Sequence, residues 1–401
     1  MKSEWNTSAI ANICKVVTDG SHTSPKSVSH GKYMVSVKDF TPYGFDFNGC
    51  RQISFADYEK LKSSGCVPQK GDILIGKDGA RYFEDIMIYN QDEAPALLSS
   101  IAILRCDEEK VIPEYLYYLL KTPSFKKDVK DNYGSGSAIP RIILKDFKRM
   151  KVEYPSIEKQ RQIVSILHDL DAKIFNNQKV NDNLEQQAAT YFQELFINNA
   201  NPMWQISTIS DLGTVVGGST PSKTKPEYYT NNGIAWITPK DLSINKSKFI
   251  SHGENDITEL GLKNSSATVM PKDTVLFSSR APIGYIAIAS NEVTTNQGFK
   301  SVIPYSEIGT AFVYFFLKHS LPVIESAASG STFKEISGSA MKNIPAIIPD
   351  RNTLDQFNSF CAPIFTQQKI LEEQNHSLAM LRDSLLPKLM SGAIDIASIQ
   401  L

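Results

Sequence analysis

Two short stretches, both marked by Gly and Pro, gather the residues best suited to chemistry. Near the start of the chain stand Ser21, His22, Thr23 and Lys26, and near its middle Ser219, Thr220, Ser222, Lys223 and Lys225. Small hydroxyls and flexible cations suit phosphate oxygens. Lys38 and Lys240 hold matched places just before an aspartate, while Lys77, Arg81 and Arg280 lie where apolar runs end. Arg can bind guanine through two bonds, and Asn or Gln can do the same for adenine, so Arg280, Asn296 and Gln297 are candidate base readers. Arg141, Thr332 and Lys334, in Gly- and Ser-rich loops, complete the set. Singly, each is most simply a solvated charge or a turn hydroxyl. As a group they point to nucleic acid.

Seats for catalysis are harder to find. Gly71, Gly76 and Lys77 have the spacing of a phosphate-binding loop, but Asp78 stands where a Mg²⁺-holding Ser or Thr is needed, and the intervening DILI reads as a strand. Asn201-Pro202-Met203-Trp204 has the look of an amino-methyltransferase tetrapeptide without its second Pro or a Gly-rich cofactor loop, and reads as a linker. The six histidines form no HExxH, no Ser sits in a GxSxG elbow, and the five cysteines form no CxxC pair. The cysteine usage fits a reducing cytoplasm. No charged n-region with an apolar h-region opens the sequence, and apolar runs such as Phe312 to Leu317 are too short to span a bilayer, so a soluble, cytosolic protein is expected.

The elements that must position these residues come as a repeat. VVTDGSHTSPK then YMVSVKDF in the first half corresponds to VVGGSTPSK then IAWITPKDL in the second; Gly71–Ala80 falls on Lys272–Ala281, and Glu114–Lys121 on Ala311–Lys318. Gly136 and Pro155 face Gly330 and Pro349, both pairs 194 residues apart (330 − 136 and 349 − 155). With 401 residues, 41% of them hydrophobic, the chain can build two cores. Short apolar runs at Asp72–Ile75, Leu98–Leu104, Thr274–Phe277 and Tyr285–Ala289 read as strands. Glu114–Lys127 and Thr310–Glu325 read as helices, so each half is α+β with a mixed sheet.

After each repeat the pattern changes. From Ile157 to Ile197 there is neither Gly nor Pro, and Ile163, Leu167, Leu170, Ile174, Asn177, Asn181, Leu184, Ala188, Tyr191 and Leu195 alternate spacings of four and three. The same seam recurs from Phe357 to Leu389. Two long coiled-coil helices are expected, with room for antiparallel pairing although the sequence leaves the direction open. The seam asparagines either fix register or face solvent or another protein. Pro363 and Pro387 predict that the second helix is broken, or begins after Pro363. The expected organisation is a domain at 1–155, a central helical spacer at 156–198, a second domain at 199–349, and a C-terminal helical spacer and tail at 350–401.

GGSTPSKTKPEYY, IAWITPKDL, VLFSSRAPIG, TTNQGFKS and the closing SLLPKLMSG together resemble the specificity subunits of type I restriction-modification systems. The first half departs more: GSHTSPK replaces GSTPSK, RAPIG is missing, and SSIAILR stands where NQGFKSV is expected. The resemblance implies two target recognition domains, each reading one part of a split, asymmetric double-stranded DNA site in the major groove. It implies helices that set the unread gap and dock two modification subunits carrying S-adenosylmethionine, with restriction subunits bringing ATP and Mg²⁺. The chain itself would hold no cofactor and catalyse nothing. Against DNA binding stands the charge, 42 Lys and Arg against 43 Asp and Glu, a net −1, unless partners add cations. The alternatives are a protein-binding coiled-coil scaffold without DNA readout and a self-contained enzyme.

Overall fold

The computed structural model describes residues 5–41, 44–134, 140–280, 282–330 and 334–394. It resolves into two compact units, one of Met1–Lys173 with Leu378–Leu401, the other Ile174–Ser377. Each therefore combines one half of the repeat with a portion of both long helices.

In the first unit an antiparallel sheet orders Cys14–Asp19, Ile101–Cys106, Ile73–Gly76 and Ile86–Ile88. A second sheet orders Ala96–Leu97, Lys32–Val35, Gln52–Ile53 and Ser27–Val28, its first pair parallel. Asn6–Ala9 pairs with Lys151–Tyr154. The second unit repeats this plan. Gly213–Gly217, Lys300–Pro304, Val275–Phe277, Ile286–Ala289 and Phe249–Ile250 form one sheet; Tyr229–Thr230, Asn255–Ile257, Ile234–Ile237 and Thr294–Thr295 form the other, again with a parallel last pair. Gln205–Thr208 pairs with Pro345–Ile348. The mixed α+β reading holds in both halves.

Strand pairing corrects one part of the repeat by a residue. Ile73 pairs with Leu104 and Val275 with Val302, so Gly71 corresponds to Asp273 rather than Lys272. Both take a left-handed backbone, φ 87° and 69°, and both donate their N–H to the neighbouring segment, to the carbonyls of Tyr89 and Ala289. Glycine and aspartate are both tolerated there. The two expected helices each divide at a proline: Pro113–Lys121 ends before Pro123–Asn132, where Thr122 caps the new helix, and Thr310–His319 ends before Leu321–Ala327, with Pro322 in its first turn. A proline lacks the N–H that continuation needs but fits a first turn.

The long helices run Ile157–Gln193 and Arg351–Met390. The second is continuous, contrary to expectation. Pro363 is exposed and Pro387 half-buried, and the residues four places earlier, Ser359 and Asp383, are both exposed. Their released carbonyls can bond to water, while Phe357, Cys361, Ile364, Leu386 and Leu389 bury the opposite side. In the second unit the helices pair antiparallel, and in the first they are also in contact. Asp171 meets Arg382 at 2.7 Å in the first unit; in the second, Asn177 meets Asn375 at 2.9 Å and Tyr191 packs on Phe360. Asn177 and Asn181 are buried, and Gln368 donates to the Asn181 carbonyl at 3.2 Å, which favours the register reading of the seam asparagines over the solvent-facing one.

Each unit's helical portions share its globular core. Ile163, Ile166, Leu167, Leu386, Leu389 and Met390 pack with Tyr115, Leu116 and Tyr118 in the first. Ala188, Phe192, Phe196, Phe357, Cys361 and Ile364 pack with Phe312, Phe315 and Phe316 in the second. There, a buried polar cluster adds to the anchor. Lys248 pairs with Glu185 and donates to Gln368 Oε1 at 2.7 Å, over the Phe365 ring at 4.0 Å. Lys318 also reaches Glu185, at 2.5 Å. Burial pulls the Lys248 ammonium below its ordinary pKa and pushes the Glu372 carboxyl up. Burial would also raise Glu185, but Lys248 and Lys318 outweigh it and hold that carboxyl below its ordinary value.

Candidate nucleic-acid interface

The two Gly-Ser loops are built alike. In the first half, Ser21 donates its N–H to the Leu97 carbonyl at 2.7 Å; in the second, Ser219 donates to the Thr295 carbonyl at 2.9 Å. The preceding glycines permit this approach, because a Cβ on Gly20 would lie 2.4 Å from the Leu97 oxygen and one on Gly218 would lie 2.0 Å from the Asn296 oxygen. Leu98 then donates to Val35 at 2.9 Å, and Asn296 to Ile237 at 3.0 Å. Leu98 and Ser99 thus occupy the backbone places of Asn296 and Gln297. The frame is shared and its side chains differ.

In the second half this frame brings five of the expected residues together. Thr220, Lys223, Lys240, Asn296 and Gln297 line one groove of about 570 Å³, with Tyr229, Trp236 and Glu254. Thr220 is hydrogen-bonded to Gln297, and the indole N–H of Trp236 donates to the Ser219 carbonyl at 3.0 Å. Lys240 pairs with Glu254 at 2.6 Å. Thr238 and Asp241 each accept the other's backbone N–H at the start of Pro239–Ile244, which fixes the turn carrying Lys240; Ser36 and Asp39 do the same for exposed Lys38. Ser222 is bonded to Thr224 and Lys225 lies 3.8 Å from Glu227, both exposed. A larger adjoining groove, about 940 Å³, carries Glu254, Asp256, Glu259 and Glu292 and is ill suited to phosphate.

Arg280 lies beside this groove's loop, since Ser279 donates its N–H to the Gly298 carbonyl at 2.7 Å. Its Nε is 2.9 Å from Glu335, which also faces Lys300 at 3.7 Å. Lys334 is exposed; Thr332 lies outside the described residues. In the first half, His22, Thr23 and Lys26 are exposed, with His22 Nε2 3.3 Å from Asp19. Ser21, contrary to expectation, is buried and its hydroxyl donates to the Thr23 carbonyl at 2.8 Å, so it shapes the loop and is not open to a phosphate. Arg141 is exposed, and Arg81 is paired with Asp85 at 2.9 Å on a turn.

Lys77 is a correction. It is 6% exposed and pairs with Asp19 at 3.4 Å and Asp78 at 3.5 Å. A buried, paired amine positions its loop and is not open to a phosphate. Trp204 of the tetrapeptide bonds Asp350 at 2.9 Å and packs on Phe196, a structural linker as expected. No motif marks Glu335 and Trp236, which hold candidate residues in place, or the buried Lys248 cluster. Among the described residues no group of His, Cys, Asp and Glu could hold a metal ion, and no helix is long and apolar enough to cross a membrane.

The sequence profile of the type I restriction modification DNA specificity domain matches residues 2–186 and again 201–374. The chain belongs to that family. This specificity subunit is similar to the type I restriction enzyme MjaIX specificity subunit of Methanocaldococcus jannaschii, 43% identical over 162 residues, which span 40% of this chain but only 37% of that one. It is similar over more of its length to the HindI specificity subunit of Haemophilus influenzae, 23% identical with 81% of this chain and 87% of the other covered. In fold it resembles the crystal structure of a type I S subunit from M. genitalium, with a TM-score of 0.59, 16% identity and 97% of each chain covered. It is a DNA sequence-specificity subunit with two homologous recognition domains, and such a subunit works with DNA and with complex partners.

Proposed function

We propose that this specificity subunit reads a bipartite, asymmetric double-stranded DNA site, one part with each recognition domain. The observation that carries this is the duplicated frame: Gly20–Ser21 on Leu97 and Gly218–Ser219 on Thr295 hold the same backbone, while Leu98–Ser99 and Asn296–Gln297 offer different chemistry. One half has two carboxamides able to bond base edges; the other has an apolar side chain and a hydroxyl. Thr220, Lys223 and Lys240 would contact phosphates around them.

The long helices set the unread gap and dock two modification subunits, which hold S-adenosylmethionine and perform methyl transfer; restriction subunits, with ATP and Mg²⁺, join this assembly. The specificity subunit is non-catalytic, holds no cofactor, and acts in the cytoplasm. Its net charge of −1 is offset by cations that the partners place around the DNA. Gel shifts of the chain assembled with its cognate modification subunit, on random DNA and on the methylated motif at rising salt, test this. Tight binding to the motif with a steep salt dependence is expected. Equal, weak binding to both would leave only a protein scaffold.

A further inference from the structure

In each half one arginine is mounted on the same backbone bridge, but on opposite strands. Asp78 pairs with Arg141, and Arg280 with Glu335, as isolated antiparallel bridges. The flanking bonds match: Ile142 donates to the Lys77 carbonyl at 2.9 Å and Ile336 to the Ser279 carbonyl at 3.0 Å. So do the links to the recognition loops, Lys77 to Ser100 at 2.9 Å and Ser279 to Gly298 at 2.7 Å. Asp78 therefore occupies the place of Arg280, and Arg141 that of Glu335. Acid faces arginine across both bridges, with the strands exchanged.

Both mounts are stiff, since Ile142 and Ile336 are fully buried, and both arginines are exposed. Arg280 is held at its Nε by Glu335, at 2.9 Å. Arg141 makes no ion pair among the described residues, and Asp78 lies 3.5 Å from Lys77. For Arg280 the Glu335 carboxylate offsets its charge and weakens its pull on phosphate, while leaving its directional hydrogen bonding intact. A rigid base also favours directional contact, since a phosphate needs only a nearby cation.

We propose that Arg141 and Arg280 are equivalent base readers, each recognising one guanine in its own half-site, and that Glu335 is the positioning residue for Arg280. This rests on the bipartite reading above. It deepens that reading by naming a base and a shared backbone bridge, occupied from opposite strands, in each half.

The test uses the full chain assembled with its modification subunit, measuring affinity for duplexes carrying each of the four bases at every motif position. Arg280→Ala and Arg280→Lys should each lower affinity by about 5- to 150-fold for duplexes with guanine at one position of one half-site, and leave the other bases there nearly unaffected. Arg141→Ala and Arg141→Lys should do the same in the other half-site. Lysine keeps the charge without the fork, so it fully restores a phosphate contact but only in part a guanine contact, which it can still donate to. Glu335→Gln should narrow the preference at the Arg280 position, and Glu335→Asp should restore part of it. A loss uniform over all bases, full rescue by lysine together with such a uniform loss in the alanine variant, or both arginines acting on one half-site would overturn the proposal while leaving the bipartite reading intact. A wild-type complex without sequence preference would overturn both.

Discussion

Asn177 and Asn375 meet side chain to side chain at 2.9 Å within the apolar seam of the paired helices. Gln374 adds a longer contact to Asn177 at 3.4 Å. An amide pair with one buried and one half-buried partner costs stability relative to leucines but penalises any pairing that would leave either amide alone. Asn177→Leu should therefore cost about 1 to 3 kcal/mol, and Asn177→Leu with Asn375→Leu should recover most of it. Chemical denaturation of the full chain reads both; a double variant as unstable as the single would mean that the two side chains do not act as a pair.

Glu185 gives a pH dependence of defined sign. Its folded pKa lies below the ordinary 4.5, because Lys248 and Lys318 outweigh burial. The folded state thus binds fewer protons than the unfolded state, and the stabilisation is present above pH 4.5 and lost as pH falls through the folded value. Glu185→Gln should lower the denaturation midpoint at pH 7 and leave a flatter decline in acid. Parallel curves for the two proteins below pH 4.5 would count against the ion pairs.

Pro363 sits within a continuous helix at an exposed position. Pro363→Ala should restore a donor for the Ser359 carbonyl and raise stability by up to about 3 kcal/mol. An unchanged or lower melting temperature would show that proline is favoured there for another reason.

The helices as spacers predict a change in the DNA site. Matching four-residue insertions beside Asn177 and Asn375 lengthen each helix by about 6 Å, against about 3.4 Å per base pair. The gap should widen by one or two base pairs with both half-sites unchanged. Two-residue insertions turn the apolar face away and should lose activity. Methylation mapping that finds an active four-residue variant with the original gap would remove the helices from this role.

How far the letters carried the structure depends on the range of the interaction. The seam from Ile163 to Leu195 was legible because its spacing is local, and the repeat because both halves keep the same order of motifs. The slip at Gly71 arose because its counterpart Asp273 shares a left-handed backbone, which different letters conceal. Pro363 misled because the rule for proline concerns a lost bond, and an exposed carbonyl can bond water instead. Lys77 looked like a surface cation because its partner Asp19 lies far away in sequence and meets it only through strand pairing. Glu335 was invisible for the same reason: nothing near Arg280 in the chain marks it as a partner. Thr220, Lys223, Lys240, Asn296 and Gln297 were found by type, but only the fold shows that they share one groove.

The most direct test of independent reading replaces residues 1–154 with the corresponding domain of a relative whose site is known. The chimera is assembled with the modification subunit, and methylated motifs are mapped across a genome. One half-site should change to that of the donor, while the other half-site and the gap stay as they were. If both half-sites changed, or neither did, the two domains would not each read one part of the site.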